Sequence, residues 1–182
     1  MAKFLNIVSE DDEIIAPENR KKIHEEGLLH REVHVYFITP KKEIIFQHRA
    51  KDKDTFPDLL DATVGGHVEI GQSYEETAVK ESEEETGLKI DKKDLIFINK
   101  FKKYFEDNAT GKINYAFQSE YLYIYRGDTN DLKIEEGKAI GFEVWPIDKL
   151  LNLDEEDKNK FIPYILELAG TELTKIINNL DL

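Results

Sequence analysis

The chain of 182 residues carries 38 acidic against 25 basic residues, a formal charge of -13 at pH 7, which excludes general binding to nucleic acid backbones or anionic lipid surfaces. It has no cysteine, so it has no disulfides, thiolate metal ligands or thiol nucleophile, and it suits a reducing compartment. Its length fits one domain over residues 1–182, and no apolar run reaches the length of a secretion signal or a bilayer span, so a cytoplasmic protein is expected.

Residues 1–30 read as an N-terminal edge extension. It comprises a short β segment, a polar turn at 9–13, a second segment around Ile14 and Ile15, and a helical piece from Asn19 to Glu26. The core is expected over residues 31–155. Residues 33–39 and 43–49 are β-rich runs joined by Pro40, Lys41 and Lys42, which predicts a hairpin. Residues 61–68 are extended and lead into a glycine-rich turn. Ser73 with Glu76 is a capping-box signature, which starts a helix that Gly87 should end.

Residues 95–105 and 113–125 alternate as strands around a turn at 107–111. In the second strand Ala116, Gln118, Glu120 and Leu122 share one face, and Tyr115, Phe117, Tyr121, Tyr123 and Tyr125 the other. A short strand at 141–144, a short helix at 146–151 and a terminal amphipathic helix at 158–178, within a closing segment 156–182, complete the chain. Strands interrupted by one helix and closed by another imply a mixed sheet between helical layers.

On the predicted helix Glu81, Glu84 and Glu85 stand at i, i+3 and i+4, so their carboxylates project from one face. Left unneutralised, each pair at this spacing costs an isolated helix roughly 0.2–0.5 kcal/mol, and a hard cation such as Mg²⁺ or Mn²⁺ bound through oxygen relieves it. A solvated acidic face is the alternative reading. The loop before the helix bears on the choice, because Gly65, Gly66 and Gly71 let the backbone turn sharply and bring peptide groups up to a ligand.

The stretch from Gly65 to Leu88 resembles the Nudix box. Gly66, Glu81, Glu84, Glu85, Gly87 and Leu88 match it, while Gln72, Lys80 and Ser82 stand where the box has Glu, Arg and a bulky apolar residue. The resemblance implies an α/β/α Nudix sandwich with a mixed β-sheet. It also implies divalent-metal-dependent hydrolysis of a pyrophosphate bond, in a nucleoside diphosphate derivative or a related small organic diphosphate. Glu84 and Glu85 would be metal ligands, Glu81 a ligand or the base that activates water, and the Gly65 carbonyl an extra ligand. Glu120 lies in a strand where the family often supplies another. Gly66 and His67 would border the substrate. Lys80 keeps the charge of the box Arg but loses its planar fork, so a Gln72–Lys80 pairing would replace a Glu–Arg one.

A longer resemblance runs over residues 28–150, through Leu29-His30-Arg31, Val33-His34-Val35, Gln47-His48-Arg49, Lys53, Phe56-Pro57 and Ala62-Thr63. It is similar to the Nudix branch that includes isopentenyl-diphosphate isomerase. By that resemblance Arg49 and Lys53 contact the diphosphate, and His30 and His67 match metal ligands. Gln118 stands where the first of two metal-binding glutamates would be, which leaves Glu120 as the second. The isomerase also needs a cysteine, and its region here reads Thr63-Val64-Gly65-Gly66-His67, so the proton-transfer pair cannot form. Isomerase-like activity and a noncatalytic ligand-binding domain are the alternatives to hydrolysis. For Arg49 and Lys53 the alternative is a solvated loop that balances Asp52, Asp54 and Asp58. The partner expected is a small-molecule diphosphate, and a homodimer stays open.

Overall fold

A computed structural model describes residues 3–53, 56–107, 110–168 and 173–180. The N-terminal extension is an antiparallel ribbon of β1 (Phe4–Val8) and β2 (Ile14–Asn19), followed by α1 (Arg20–Glu26). The turn between the strands is closed by the Ser9 amide donating to the Glu13 carbonyl at 2.8 Å, and Asp12 adopts a left-handed φ of 63°. Asn19 caps α1, and Gly27 ends it at φ 65°. The ribbon docks on the main body through a bridge from Leu5 to Glu69 and through the Val8 amide, which donates to Leu29 O.

The main sheet has seven strands: β3 (His30–Ile38), β4 (Glu43–Arg49), β5 (Leu60–Asp61), β6 (Val64–His67), β7 (Leu95–Glu106), β8 (Ile113–Ile124) and β9 (Ala139–Pro146). They run in the order β5-β4-β3-β8-β7, with β6 on β3 and β9 on β4. β3 and β8 are parallel and every other pairing is antiparallel, so the sheet is mixed as expected. The expected 61–68 run is two strands. Leu60 and Asp61 pair with β4, whereas Val64–His67 pairs with β3. The Thr63 hydroxyl holds the crossing point, accepting from the Phe37 amide at 2.8 Å and donating to Ile45 O.

Alternation along β3 builds both faces. Val33, Val35 and Phe37 pack with Val64, Tyr121 and Ala78 of α2 (Tyr74–Thr86). Tyr36 and Ile38 pack with Leu122 and with the C-terminal helices, namely Ile147 and Leu150 of α3 (Ile147–Leu150), Ile165 of α5 (Pro163–Leu168) and Ile177 of α6 (Thr174–Asn179). The sheet is therefore sandwiched between helical layers, an α/β/α arrangement. Ser73 and Glu76 form the full capping box of α2, and Gly87 ends it with φ 72°.

The single terminal helix expected at 158–178 is not formed. α4 (Glu155–Lys158) ends before residues 160–162, whose backbone pairs with β5: the Leu60 amide donates to Lys160 O and the Ile162 amide to Leu60 O. Pro163, which has no amide proton, then opens α5. Residues 169–172, like 108–109 of the expected 107–111 turn, lie outside the described residues. Among the described residues no helix is long and apolar enough to cross a membrane.

Candidate active site

Strand register gathers polar side chains at one end of the sheet. Glu32 of β3 stands between His67 of β6 and Gln118 of β8, and His34 between Gly65 and Glu120. Together with the second half of α2, Glu32, His34, Gly65 and His67 border a cavity of about 860 Å³. Glu81 and Glu85 line it with Arg49, Lys53 and Lys138, and Phe56 and Phe105 form an aromatic wall with ring centroids 4.6 Å apart.

Of the three box glutamates the structure buries two. Glu81 and Glu85 are 4% and 3% exposed, whereas Glu84 faces solvent and pairs with Lys80 at 2.9 Å. Glu81 lies over Gly66 so closely that a β-carbon there would sit 2.5 Å from its Cδ. Glu85 Oε2 accepts from the Gly65 amide at 3.2 Å and from Gln47 Nε2 at 3.1 Å. Its other oxygen faces the Lys138 ammonium at 3.2 Å, and that ammonium also lies 3.7 Å from Glu81 Oε2 and 2.8 Å from Glu135. Burial pushes the Glu85 carboxyl up to about 7, against the pull of Lys138, and raises Glu81 as well.

The box departures resolve differently from the expected Gln72–Lys80 pair. Gln72 Oε1 accepts from the Thr77 hydroxyl at 2.9 Å, and Lys80 instead reaches Glu69 and Glu81, both at 3.6 Å, besides Glu84. Glu69, itself paired with Lys3 at 3.0 Å, thus supplies the carboxylate that position 72 lacks. Ser82 is fully buried, and its hydroxyl donates to Ala78 O at 2.7 Å.

Glu120 is wholly buried. Gln118 Nε2 donates to its Oε1 at 2.8 Å and to His34 Nδ1 at 3.2 Å, while Glu120 Oε2 has no hydrogen-bond partner. Burial raises its carboxyl to about 7 and lowers His34 to about 4. Glu120 does not line the cavity that receives Glu81 and Glu85. Of the two cations carried over from the isomerase branch, Arg49 is tied to Asp61 at 2.9 Å and donates to Phe56 O at 3.1 Å. Lys53 binds its proton less tightly than an ordinary lysine, first through burial and then through repulsion from Arg49 and Lys138.

His30 and His67 meet His24 of α1, with one ligand nitrogen from each ring within 4.8 Å of the others. The carbonyls of Leu28 and Ile113 lie at 3.0 and 3.1 Å from Nδ1 of His30 and His24, which directs both Nε2 atoms inward as acceptors. His30 Nε2 is buried without a partner. Glu32 lies 3.2 Å from His67 Nε2 and 3.8 Å from His30 Nε2, and accepts from Asn114. Burial works against its charge, yet His30, His67 and Lys103 hold its carboxyl well below the usual range, while burial lowers His67 and His24.

Lys138, Gln47, Glu32, His24 and Glu69 were not singled out from the sequence. Glu32 with His34, and Gln118 with Glu120, did carry a signal: polar pairs at i, i+2 inside apolar strands mark a face that turns to a site. Lys138 sits in a turn where no spacing distinguishes it.

The NUDIX domain family model matches residues 28–165. An uncharacterized Nudix hydrolase of Clostridium acetobutylicum is 30% identical over 186 residues, covering 98% of this chain and 89% of the relative. In fold the chain is similar to the crystal structure of DR0079 from Deinococcus radiodurans, with a TM-score of 0.73 and 21% identity over 93% of this chain and 99% of that one. It is also similar to the NUDIX domain of Shewanella oneidensis NrtR, solved with ADP ribose, with a TM-score of 0.59 and 14% identity over 82% and 88% of the two chains.

Proposed function

This chain belongs to the Nudix hydrolase family, and from that premise we propose that it uses a divalent cation to cleave a pyrophosphate bond in a nucleoside diphosphate derivative or a related small organic diphosphate. The observation that carries this reading is the buried carboxylate pair of Glu81 and Glu85 in the same cavity as Arg49, Lys53 and Lys138. Carboxylates suit a hard cation and the three basic groups suit phosphate oxygens. The cavity volume is that of a small-molecule site, and the Phe56–Phe105 wall gives a base or other flat moiety an apolar surface.

The donor set fits the ion. Among the described residues the neighbour that neutralises both Glu81 and Glu85 is one flexible ammonium, that of Lys138, and Gly66 offers room no side chain could share with Glu81. Glu81 and Glu85 would hold Mg²⁺ or Mn²⁺ with the Gly65 carbonyl, and Glu84 would join them by turning in from solvent; Glu120, whose Oε2 is unpartnered but lies outside this cavity, would reach the ion only if its side chain turned toward α2. When bound, the ion neutralises charge on the diphosphate and makes its water a better nucleophile at neutral pH. Glu81 is the group that takes the proton of the attacking water. Gly65, through its amide, and Gln47 orient Glu85, and Lys80 bridges the buried Glu81 and the outward Glu84. Arg49 and Lys53 bind phosphate oxygens, with Gly66 and His67 bordering the bound molecule. We place this chemistry in the cytoplasm.

A second metal position is favoured by the orphaned His30 Nε2. His24, His30 and His67 with Glu32 form an imidazole-rich set that suits a borderline transition ion better than Mg²⁺. Metal analysis of protein purified without chelator, against His30→Ala, tests it: equal metal content in both removes this position.

The test of the main reading is a screen of ADP ribose, dinucleoside polyphosphates, sugar nucleotides and nucleoside di- and triphosphates with Mg²⁺ and Mn²⁺. Hydrolysis of at least one is expected. Tight binding of such a ligand without turnover would instead make the chain a noncatalytic Nudix domain.

A further inference from the structure

We propose that Lys138 is a built-in counter-ion for the carboxylate pair, one that the divalent ion must displace and that then serves the diphosphate. The proposal rests on the reading of Glu81 and Glu85 as metal ligands. Two carboxylates buried one helical turn apart cannot both stay charged without a cation between them. Lys138 supplies it, with its Nζ 3.2 Å from Glu85 Oε1 and 3.7 Å from Glu81 Oε2. These are the oxygens a metal ion would need, so the ammonium and a dication compete for one place, and their mutual repulsion keeps them from sharing it.

The surroundings allow the exchange. Lys138 is anchored by its backbone: its carbonyl accepts from the Ala50 amide at 3.1 Å, and its amide donates to Glu135 O in a turn where Gly137 has φ 78°. The side chain is partly exposed and can swing from that fixed point. Glu135, 2.8 Å away, is a third carboxylate, on which the ammonium can rest once the pair is taken. Arg49 and Lys53 line the same cavity, so the displaced Lys138 becomes a third cation facing an anionic ligand. Metal entry and diphosphate binding are thereby coupled through one side chain.

Mn²⁺ titration followed by electron paramagnetic resonance, without any substrate, reads the first half directly. Lys138→Met should bind Mn²⁺ at least ~10-fold more tightly than the wild type, because the competitor is gone. Glu135→Gln, which removes the resting place but keeps the lysine, should bind it more weakly. Methylenediphosphonate binding at saturating Mn²⁺ reads the second half, and it should weaken in Lys138→Met. Unchanged or weaker Mn²⁺ binding by a folded Lys138→Met overturns the proposal, and if that variant does not fold, the Glu135→Gln result decides. Glu85→Gln separates the two readings. If it binds Mn²⁺ as the wild type does, the metal-site assignment fails. If it loses Mn²⁺ while Lys138→Met matches the wild type, only the role of Lys138 fails.

Discussion

Glu81 lies across Gly66 so closely that a β-carbon on the glycine would stand 2.5 Å from both Glu81 Cγ and Cδ. Gly66→Ala must therefore move the carboxylate or the backbone beneath it. Turnover is expected to fall by about 10–100-fold, the usual cost of misplacing a reacting group by about an ångström. Mn²⁺ affinity should fall with it, whereas far-ultraviolet circular dichroism stays unchanged. Wild-type kinetics in this variant would show that Glu81 does not need its present position.

Hydrolysis is expected to stop on chelation with EDTA and to return with Mg²⁺ or Mn²⁺. Glu85→Gln should lower turnover by at least ~100-fold, on the scale of losing a charged catalytic group. Thermal unfolding should show the fold intact, since the amide can still accept from the Gly65 amide and removes a charge that burial disfavours. Full activity with unchanged metal dependence would remove Glu85 from the site.

Arg49 and Lys53 should separate in their effects although both face the cavity. Arg49 is also the partner of the largely buried Asp61, so Arg49→Ala raises KM and costs about 2–3 kcal/mol of stability through the charge left behind. Lys53→Ala should raise KM alone. An unchanged KM in both variants would mean that the phosphates are gripped elsewhere.

The N-terminal ribbon has its own acid sensitivity. Burial works against the charge of Asp12, but hydrogen bonds from Lys100, Arg31 and Tyr74 outweigh it and hold its carboxyl below the ordinary value of 3.8. A lowered folded-state value means that the stabilisation is present above the ordinary value and is lost as pH falls through the folded one. Asp12→Asn keeps a residue type that tolerates the left-handed φ of 63° and should destabilise by about 1–3 kcal/mol at pH 7. The gap from the wild type should begin to narrow as pH falls through about 4 and go on narrowing down to the folded-state value in denaturant titrations. A gap that does not narrow on acidification would assign the effect to shape rather than charge.

Isopentenyl diphosphate is expected to yield no dimethylallyl isomer. Thr63, in the segment where the isomerase has its cysteine, has its hydroxyl committed to the Phe37 amide and the Ile45 carbonyl. Isomer formed at enzymatic rates, and absent in Glu120→Gln, would overturn this.

The capping box at Ser73, the glycine stop at Gly87 and the strand alternation of β8 were legible because each is a local rule written in adjacent residues. The same holds for the spacing of Glu81 and Glu85. That Glu84 turns outward was not legible, because spacing sets a helix face but not how far β6 covers it. Nor was the break in the terminal helix, which depends on residues 160–162 pairing with Leu60, a contact between distant parts of the chain. Lys138 was hidden for the same reason, since only the folded turn brings it onto α2.

The long parallel pairing of β3 with β8 joins His30–Ile38 to residues 116–124, with α2 and its carboxylates in the stretch between. During synthesis β3 must therefore wait, its β8 edge unpaired, until a much later part of the chain has left the ribosome. Long-range parallel closure of this kind is slow and leaves strand edges open to other chains. Chains that stop short of β8 should aggregate rather than yield a smaller working enzyme, and expression at low temperature should favour the native product over inclusion bodies.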